Sequence, residues 1–274
     1  MIWGAVYGDI IGSYYEVHCT KNYDFELHKE SAFTDDTVMT AAVCEAITMN
    51  PEPISTLEVN KRAKEYAAQY KSFFSRYPNA GFGQMFSEWA QVRSLYKQQS
   101  YANGGAMRVI PIGYAYDTLE QTLLQAKASC LYTHNNKEAI AAAKAVAAAV
   151  WLARHGKPKN EIQEYIEREF RYDLSSPIAK IRENYAFNSR AGYSVPPAIS
   201  AFLQSKGYDS AIRNAVSLGG DADTMACIAG GIAEAFYGEI PQYIADFCDM
   251  RLDCSIKKII KSFIEVTNGQ KNGK

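Results

Sequence analysis

The sequence predicts an all-α protein, and three observations carry this prediction. Apolar residues recur at three- and four-residue steps over long stretches, which is the period of an α-helix. Alternating runs of β-branched residues, the usual mark of a strand, are nearly absent. No Ser/Gly-rich linker, charge block or internal repeat divides the chain of 274 residues. We therefore expect many helices packed into a single domain, residues 1–274.

Two long helices can be placed by their start signals and composition. Residues 54–74 open with Ser55 and Glu58 at the spacing of a capping box, and apolar residues then follow with helical period. Residues 139–153 form an Ala-rich apolar run that contains Lys144. A helix that spans a bilayer needs about 20 apolar residues. This run is therefore predicted to be a core helix of a protein that does not enter the membrane.

Three shorter helices follow along the chain. Asn160, with Gln163 three residues later, is typical of a helix start. Ser176 is the predicted N-cap of the next helix, and Pro177 occupies the first helical position, where a missing N–H costs nothing. Residues 208–218 read as a short amphipathic helix that ends at a pair of glycines.

Composition excludes several classes of function. The chain has 29 basic and 30 acidic residues and a net charge of −1, whereas a general nucleic-acid-binding protein usually carries a basic excess. The six cysteines form no CxxC pair, which argues against a zinc site or a disulfide framework and predicts buried thiols in a reducing compartment. Residues 1–16 include Asp9 and lack the basic region of a signal peptide. We expect a soluble, cytoplasmic protein.

Paired aspartates stand at two predicted helix starts. Asp35 and Asp36 precede an apolar run, and Asp221 and Asp223 precede a second apolar helix. A side chain at such a position, including that of Thr34, can cap the helix, and a carboxylate there gains about 0.3–1 kcal/mol from the helix dipole. Capping explains one acidic residue at each start, but not two.

The alternative is that the two helix starts face each other across one site. Four carboxylates in one pocket require cations, and oxygen ligands without His or Cys favour Mg²⁺ or Mn²⁺. Ca²⁺ is disfavoured because the chain has no EF-hand pattern. Two metal ions in such a cluster would orient a sugar or phosphate oxygen. The residues alone leave a shared metal site and independent caps equally open.

The helix that follows Asp221 and Asp223 has unusually small side chains. Ala226, Gly230 and Ala233 lie on one face, and Gly230 is followed by Gly231. Glycine in a helix interior costs roughly 1 kcal/mol relative to alanine, so the pair indicates that another backbone approaches closely here.

Five blocks of sequence, in order, resemble the ADP-ribosylglycohydrolases, which include the dinitrogenase-reductase-activating glycohydrolase and the eukaryotic ADP-ribosylhydrolases. The blocks are GAVYGDIIGSYYE (4–16), FTDDTVMTAAV (33–43), YANGGAMRVIPIG (101–113), THNNKEA (133–139) and SLGGDADTMACIAGGIAEAFYG (217–238). Together they cover most of the chain, from about residue 4 to 238.

This resemblance implies an orthogonal all-α fold, a centre of two Mg²⁺ or Mn²⁺ ions, and hydrolysis of an N- or O-glycosidic bond of ADP-ribose. The partner would be an ADP-ribosylated protein or another ADP-ribose conjugate, with arginine, serine, a small molecule and nucleic acid all open as the acceptor. A protein of this fold that only binds ADP-ribose is expected to lose metal aspartates, and this chain keeps both motifs. The sequence carries no signal of an assembly, and a monomer is expected.

The resemblance also assigns residues. It implies that the metal ligands are Thr34, Asp35, Asp36, Asp221, Asp223 and Thr224. It places Glu16 near the metals, and either Glu16 or Asp36 is the predicted proton acceptor in catalysis. Within the family pattern, the residues expected to contact ADP-ribose are Gly81, Gly83, Asn103, Gly104, Gly105, Ala106, Met107 and His134. Phe82 and Tyr101 are candidates for stacking on the adenine.

Two basic side chains near these blocks have competing interpretations. His134 by itself would more often be structural, but the resemblance places it at the substrate site. Arg108 is either a clamp for phosphate or a salt-bridged brace of its loop. The remaining histidines, at 18, 28 and 155, have no such context and are expected to be structural.

Overall fold

The structure is a computed structural model that describes residues 2–272, with side chains described as far as residue 269. Within this part of the chain the regular structure is helical, apart from two isolated β-bridges. The helices are α1 (Trp3–Val17), α2 (Asp35–Met49), α3 (Val59–Arg76), α4 (Gln84–Gln91), α5 (Gly104–Met107), α6 (Ile110–Ala115), α7 (Leu119–Cys130), α8 (Lys137–Arg154), α9 (Lys159–Phe170), α10 (Ile178–Asn184), α11 (Ala191–Leu203), α12 (Tyr208–Val216), α13 (Ala222–Tyr237), α14 (Gln242–Asp249) and α15 (Cys254–Asn272). The all-α prediction is confirmed.

The predicted helix starts are reproduced with small differences. The capping box is present, since the Ser55 backbone N–H donates to Glu58 Oε2 at 2.9 Å. The box closes a 3₁₀ turn, Thr56–Glu58, that leads into α3. The start of α9 was predicted wrongly: Asn160 lies inside the helix, because the fixed extended backbone of Pro158 lets the helix begin at the next residue.

Pro177 shows the same effect at α10. The N-cap is Pro177 rather than Ser176, so the helix begins one residue later than predicted. In both places a proline with extended ψ starts the helix directly after itself, and the neighbouring polar residue is not used as the cap.

Helices α1 and α13 run antiparallel and approach each other closely. A Cβ atom added to Gly8 would lie 2.1 Å from the carbonyl oxygen of Ala226, and one added to Gly12 would lie 2.4 Å from that of Ala222. Contacts under 3 Å do not occur for real Cβ atoms, so only glycine permits this separation. The close approach brings the acidic residues of α1 beside the N-terminus of α13.

The same contact continues to the other end of α13. A Cβ atom on Gly230 would lie 2.2 Å from the carbonyl oxygen of Gly4, and one on Gly231 would meet the side chain of Ile110. The predicted close approach of a backbone at Gly230 is therefore confirmed. The Gly4 N–H also donates to the buried carboxylate of Glu234 at 3.0 Å, which satisfies one of the free N–H groups at the start of α1.

The Ala-rich helix α8 lies in the middle of the fold. It packs against α5, α6, α7, α9, α11 and α13, and nearly all its alanines are buried. The prediction of a core helix is confirmed. No described helix is long and apolar enough to cross a bilayer.

The cysteine thiols are free, as predicted, but they are not all buried. Four of them, at 44, 130, 227 and 248, lie in the core. Cys19 and Cys254 are exposed, which corrects the expectation of buried thiols at these two positions.

Candidate metal centre and ligand pocket

A pocket of about 370 Å³ opens where the C-terminal end of α1 meets the N-terminal ends of α2, α5 and α13. This volume lies in the usual range for small-molecule sites. The predicted residues that line it are Glu16, Thr34, Asp35, Asp36, Gly81, Phe82, Gly83, Asn103, Gly104, Met107, His134, Asp221, Asp223 and Thr224. Sequence blocks separated by up to two hundred residues therefore meet at one site.

Three of the predicted substrate-binding residues do not line this pocket. Gly105 and Ala106 are buried behind it, and Tyr101 is on the surface with 59% of its area exposed. The centroid of the Tyr101 ring lies 5.9 Å from Arg190 Cζ. The pocket gains two aromatic residues that sequence reasoning did not assign, Phe86 and Phe187.

The start of α2 is capped by a threonine and not by an aspartate. Thr34 Oγ1 accepts a hydrogen bond from the Asp36 backbone N–H at 3.3 Å. Thr34 in turn donates its backbone N–H and its hydroxyl to the Asp9 carboxylate, at 2.9 and 2.7 Å. The N–H of Thr37 donates to the same carboxylate at 3.1 Å. The aspartates of this helix are thus free for another role.

Asp9 is a site residue that sequence reasoning missed. It is completely buried and supports the start of α2 from α1. A signal was present, since Asp9 and Glu16 lie seven residues apart in the block 4–16. Two helical turns place such residues on the same face, which links Asp9 to the predicted Glu16, but the spacing does not show that Asp9 is buried.

The start of α13 is arranged differently. Asp221 is the N-cap by position, but its side chain makes no capping hydrogen bond. Its Oδ2 instead accepts a hydrogen bond of 2.8 Å from Asn103 Nδ2, which also donates to Ser194 Oγ at 3.1 Å. The next carboxylate, Asp223, accepts the N–H of Thr224 at 2.8 Å.

The two helix starts meet in two overlapping groups of carboxylates. Oxygens of Asp9, Asp36 and Asp223 lie within 4.8 Å of one another, and so do oxygens of Glu16, Asp221 and Asp223. The Thr224 hydroxyl connects the helices by donating to Asp36 Oδ2 at 3.1 Å. The sequence left two interpretations open, a shared metal site and independent helix caps. The observed contacts favour the shared site. Asp35 lies beside this cluster and belongs to neither group of three.

Burial and mutual repulsion disfavour the charged forms of these acids. Burial, followed by the charges of Asp9 and neighbouring aspartates, raises the pKa of Asp36 well above its usual range. Burial and the charge of Asp36 do the same to the pKa of Asp223. Burial raises the pKa of Asp35 to about 8, and burial and the charge of Asp221 raise that of Glu16. Such a cluster needs protons or cations to be stable.

A divalent metal ion fits this donor set. Asp36 Oδ1 is buried and has no hydrogen-bond partner among the described residues, and a buried carboxylate oxygen left unpaired is costly. All the neighbouring donors are oxygens, which hard cations such as Mg²⁺ and Mn²⁺ prefer. The carboxylates that lie close enough together to hold such an ion are Asp9, Asp36 and Asp223 in one group and Glu16, Asp221 and Asp223 in the other.

Glycine loops form part of the pocket wall, next to Asp35 and His134. Gly81 has a φ of +96°, which an L side chain rarely adopts, and a Cβ atom there would lie 3.6 Å from Asp35 Oδ1. A Cβ atom on Gly104 would lie 3.1 Å from His134 Nε2. Both glycines therefore leave room at the pocket surface next to a polar side chain.

Arg108 forms no salt bridge within the described residues, so its interpretation as a salt-bridged brace is wrong, whereas its interpretation as a phosphate clamp stays a prediction. Its side chain is 1% exposed, and the residue contributes to the lining of the pocket beside Thr133 and His134. No carboxylate pairs with it among the described residues. Its Nη2 donates to the Ser129 carbonyl oxygen at 3.2 Å and to the Thr133 hydroxyl, and it lies 3.4 Å from His134 Nδ1.

Comparisons with known proteins agree with this architecture. The sequence model of the ADP-ribosylglycohydrolase family matches residues 1–273. ADP-ribosylhydrolase ARH3 of Homo sapiens is 28% identical, over 90% of this chain and 87% of the relative. ADP-ribosylarginine hydrolase Tri1 of Pseudomonas putida (strain GB-1) is 29% identical over 52% of this chain and 40% of the relative.

A solved structure shares the fold. The chain is similar to a structure described as an ADP-ribosylglycohydrolase-related protein complex, with a TM-score of 0.67 and 21% sequence identity. The similarity covers 97% of this chain and 96% of the other. The orthogonal all-α arrangement implied by the sequence blocks is thereby confirmed.

Proposed function

Because the chain belongs to the ADP-ribosylglycohydrolase family, we propose that it hydrolyses the glycosidic bond between ADP-ribose and a modified acceptor. The acceptor in this proposal is an arginine or serine side chain of a protein, so the reaction reverses mono-ADP-ribosylation. The observation that carries the proposal is the carboxylate cluster at the bottom of a pocket walled by glycine loops. The names of the relatives, an ADP-ribosylhydrolase and an ADP-ribosylarginine hydrolase, support it.

The pocket offers two kinds of binding group, the carboxylates and the backbone N–H groups of the glycine loops. Divalent cations bound between the aspartates would neutralise the cluster and orient the hydroxyl groups of the ribose next to the bond that breaks. The diphosphate would lie along the loops of Gly81, Gly83 and Gly104, since backbone N–H groups without a nearby Cβ bind anionic oxygens. His134 lies beside Gly104 in the lining of the pocket.

Hydrolysis requires a proton acceptor near the ribose. Water adds to the anomeric carbon as the bond to the acceptor nitrogen or oxygen breaks, and a proton must pass from the water to the leaving group. Glu16 is the better placed of the two predicted bases. It is partly exposed at the pocket and beside Asp221 and Asp223, whereas Asp36 is buried and its Oδ2 already accepts the Thr224 hydroxyl.

The test is release of free ADP-ribose from mono-ADP-ribosylated arginine and serine peptides. It is run with Mg²⁺, with Mn²⁺ and with chelator. We expect metal-dependent release from one of the two peptides, and a loss of at least about 100-fold in Glu16→Gln, the usual scale of a general base.

Asp246→Asn is the matched control. This exposed carboxylate lies on α14, outside the pocket, and accepts a hydrogen bond from Gln242. It should release ADP-ribose at the rate of the unmodified chain. Binding of ADP-ribose without release from either peptide would refute hydrolysis of these two linkages and indicate another conjugate or a binding protein.

A further inference from the structure

Within the described part of the chain, no carboxylate pairs with the buried Arg108. Its guanidinium lies 4.1 Å from the ring centroid of Tyr70, and its Nε has no hydrogen-bond partner among the described residues. Burying a charge without an opposite charge is costly. The hydrogen bonds of this group are directed to the segment that ends in His134.

Two hydrogen-bond donors face the same nitrogen of His134. Arg108 Nη2 lies 3.4 Å from Nδ1, and Thr133 Oγ1 lies 2.8 Å from it. A guanidinium can only donate. Because the Thr133 hydroxyl accepts a hydrogen bond from Arg108, its own proton is free to point at Nδ1. The two protons of Nη2 are directed to Ser129 and Thr133, so Arg108 acts by directing the Thr133 proton to Nδ1 and by its positive charge, which disfavours a proton on that nitrogen. Both effects favour the neutral imidazole that carries its proton on Nε2.

The other nitrogen faces the pocket. Nε2 lies 3.1 Å from the position of a Cβ atom on Gly104, a residue of the pocket wall. No hydrogen bond of Nε2 is found within residues 2–269. The absence of a side chain at Gly104 leaves this N–H open to a ligand.

We propose that Arg108 is a positioning residue that holds His134 as the neutral Nε2–H tautomer, so that the pocket presents a fixed N–H donor to an oxygen of the bound ligand. The donor is pre-organised, because neither the ring orientation nor the proton position has to be chosen when the ligand arrives. The nearby positive charge also strengthens the donor for an anionic oxygen. Burial and the charge of Arg108 lower the pKa of His134 well below its usual range, which agrees with a neutral ring.

The identity of the ligand as ADP-ribose rests on the proposed function, but the state of His134 does not. The first measurement is therefore independent of activity: ¹⁵N NMR of the imidazole nitrogens at neutral pH, with the signals of His134 assigned by their loss in His134→Asn. We expect a pyridine-like Nδ1 and a pyrrole-like Nε2 in the unmodified chain. In Arg108→Met we expect a mixture of tautomers or the imidazolium.

The second measurement is the Kd of ADP-ribose by calorimetry. Arg108→Met should bind about tenfold more weakly, the scale of one hydrogen bond to a charged group, and Arg108→Lys should fall between the two. Arg62→Met is the matched control, since Arg62 is also buried and lies 5.0 Å from a tyrosine ring, at Tyr66. It should leave the His134 signals and the Kd unchanged.

If Arg108→Met does not fold, Thr133→Val removes the second donor with less disruption and must shift the same NMR signals. A protonated Nδ1 in the unmodified chain would overturn the proposal. So would an Arg108→Met protein in which the His134 signals are unchanged. If the unmodified chain fails to bind ADP-ribose, the proposed function is refuted, and the NMR result still decides the role of Arg108.

Discussion

The two helix starts that supply the carboxylates are held in place by different means. The start of α2 is held by Asp9, which accepts three hydrogen bonds from Thr34 and Thr37 within the core. The start of α13 is held by Asn103, which lies in the loop that forms the pocket wall and binds Asp221. The start of α2 is therefore held by a residue of the core, and the start of α13 by a residue of the pocket wall.

This difference has a consequence for how the site responds to its ligands. The aspartates of α2 should keep their positions whether or not a substrate is bound. The Asp221 carboxylate shares a hydrogen bond with a loop residue, so movement of that loop changes the carboxylate geometry. We expect substitutions that disturb the start of α2 to lower the free energy of unfolding. We expect a substitution of Asn103 to lower the affinity for metal ions.

The largest effect should come from the contact that holds both starts together. In Gly8→Ala the new methyl group would overlap the Ala226 carbonyl oxygen, a backbone atom that cannot rotate away. We expect the free energy of unfolding, measured in urea, to fall by about 3 kcal/mol, the upper end for overpacking. Gly207→Ala is the control, because a Cβ atom there meets no atom within 4 Å. Equal stability of the two variants would contradict the α1–α13 contact.

The next effect concerns the support of α2. Asp9→Ala leaves the buried N–H groups of Thr34 and Thr37 without an acceptor, which should cost about 2 kcal/mol of unfolding free energy. Asp9→Asn is the isosteric control. Its amide oxygen can accept both N–H groups, while the Thr34 hydroxyl turns to accept from the amide nitrogen. Measured in chelator, this variant should lie within about 0.5 kcal/mol of the unmodified chain, as expected for a change that removes no hydrogen bond.

If Asp9→Asn is as unstable as Asp9→Ala, the negative charge and not the hydrogen-bond geometry of Asp9 supports α2.

Asn103→Ala tests the other start. It removes the hydrogen bond to Asp221 Oδ2 and should weaken Mg²⁺ binding about tenfold, the lower end for loss of a residue that orients a ligand. The measurement is the shift of the melting temperature across a Mg²⁺ titration. Asn184→Ala removes an exposed Asn that donates to the Lys180 carbonyl oxygen and should bind Mg²⁺ normally. An unchanged titration for Asn103→Ala would show that Asp221 does not depend on the loop.

Sequence reasoning found the helices and most of the pocket lining, because helical period and short motifs are local signals. It missed Asp9, although that residue lies in a matched block, since a buried acid that supports a neighbouring helix looks like any acid in a helical pattern. It also could not decide the role of Arg108. That role depends on Tyr70, Thr133 and His134, which the fold brings together across more than sixty residues.

The smallest effect should come from the cap of α2. Thr34→Val keeps the shape of the side chain but removes the hydroxyl that accepts the Asp36 N–H and donates to Asp9. Measured in chelator, it should lose about 1 kcal/mol of unfolding free energy, the usual cost of a lost N-cap. Thr34→Ser keeps the hydroxyl and should lose less than half of that.

The cap loss is smaller than the loss in Asp9→Ala because the backbone N–H groups of Thr34 and Thr37 retain their acceptor. If Thr34→Val instead lost as much as Asp9→Ala, the hydroxyl would be the main support of α2. Asp9 would then act chiefly by orienting Thr34.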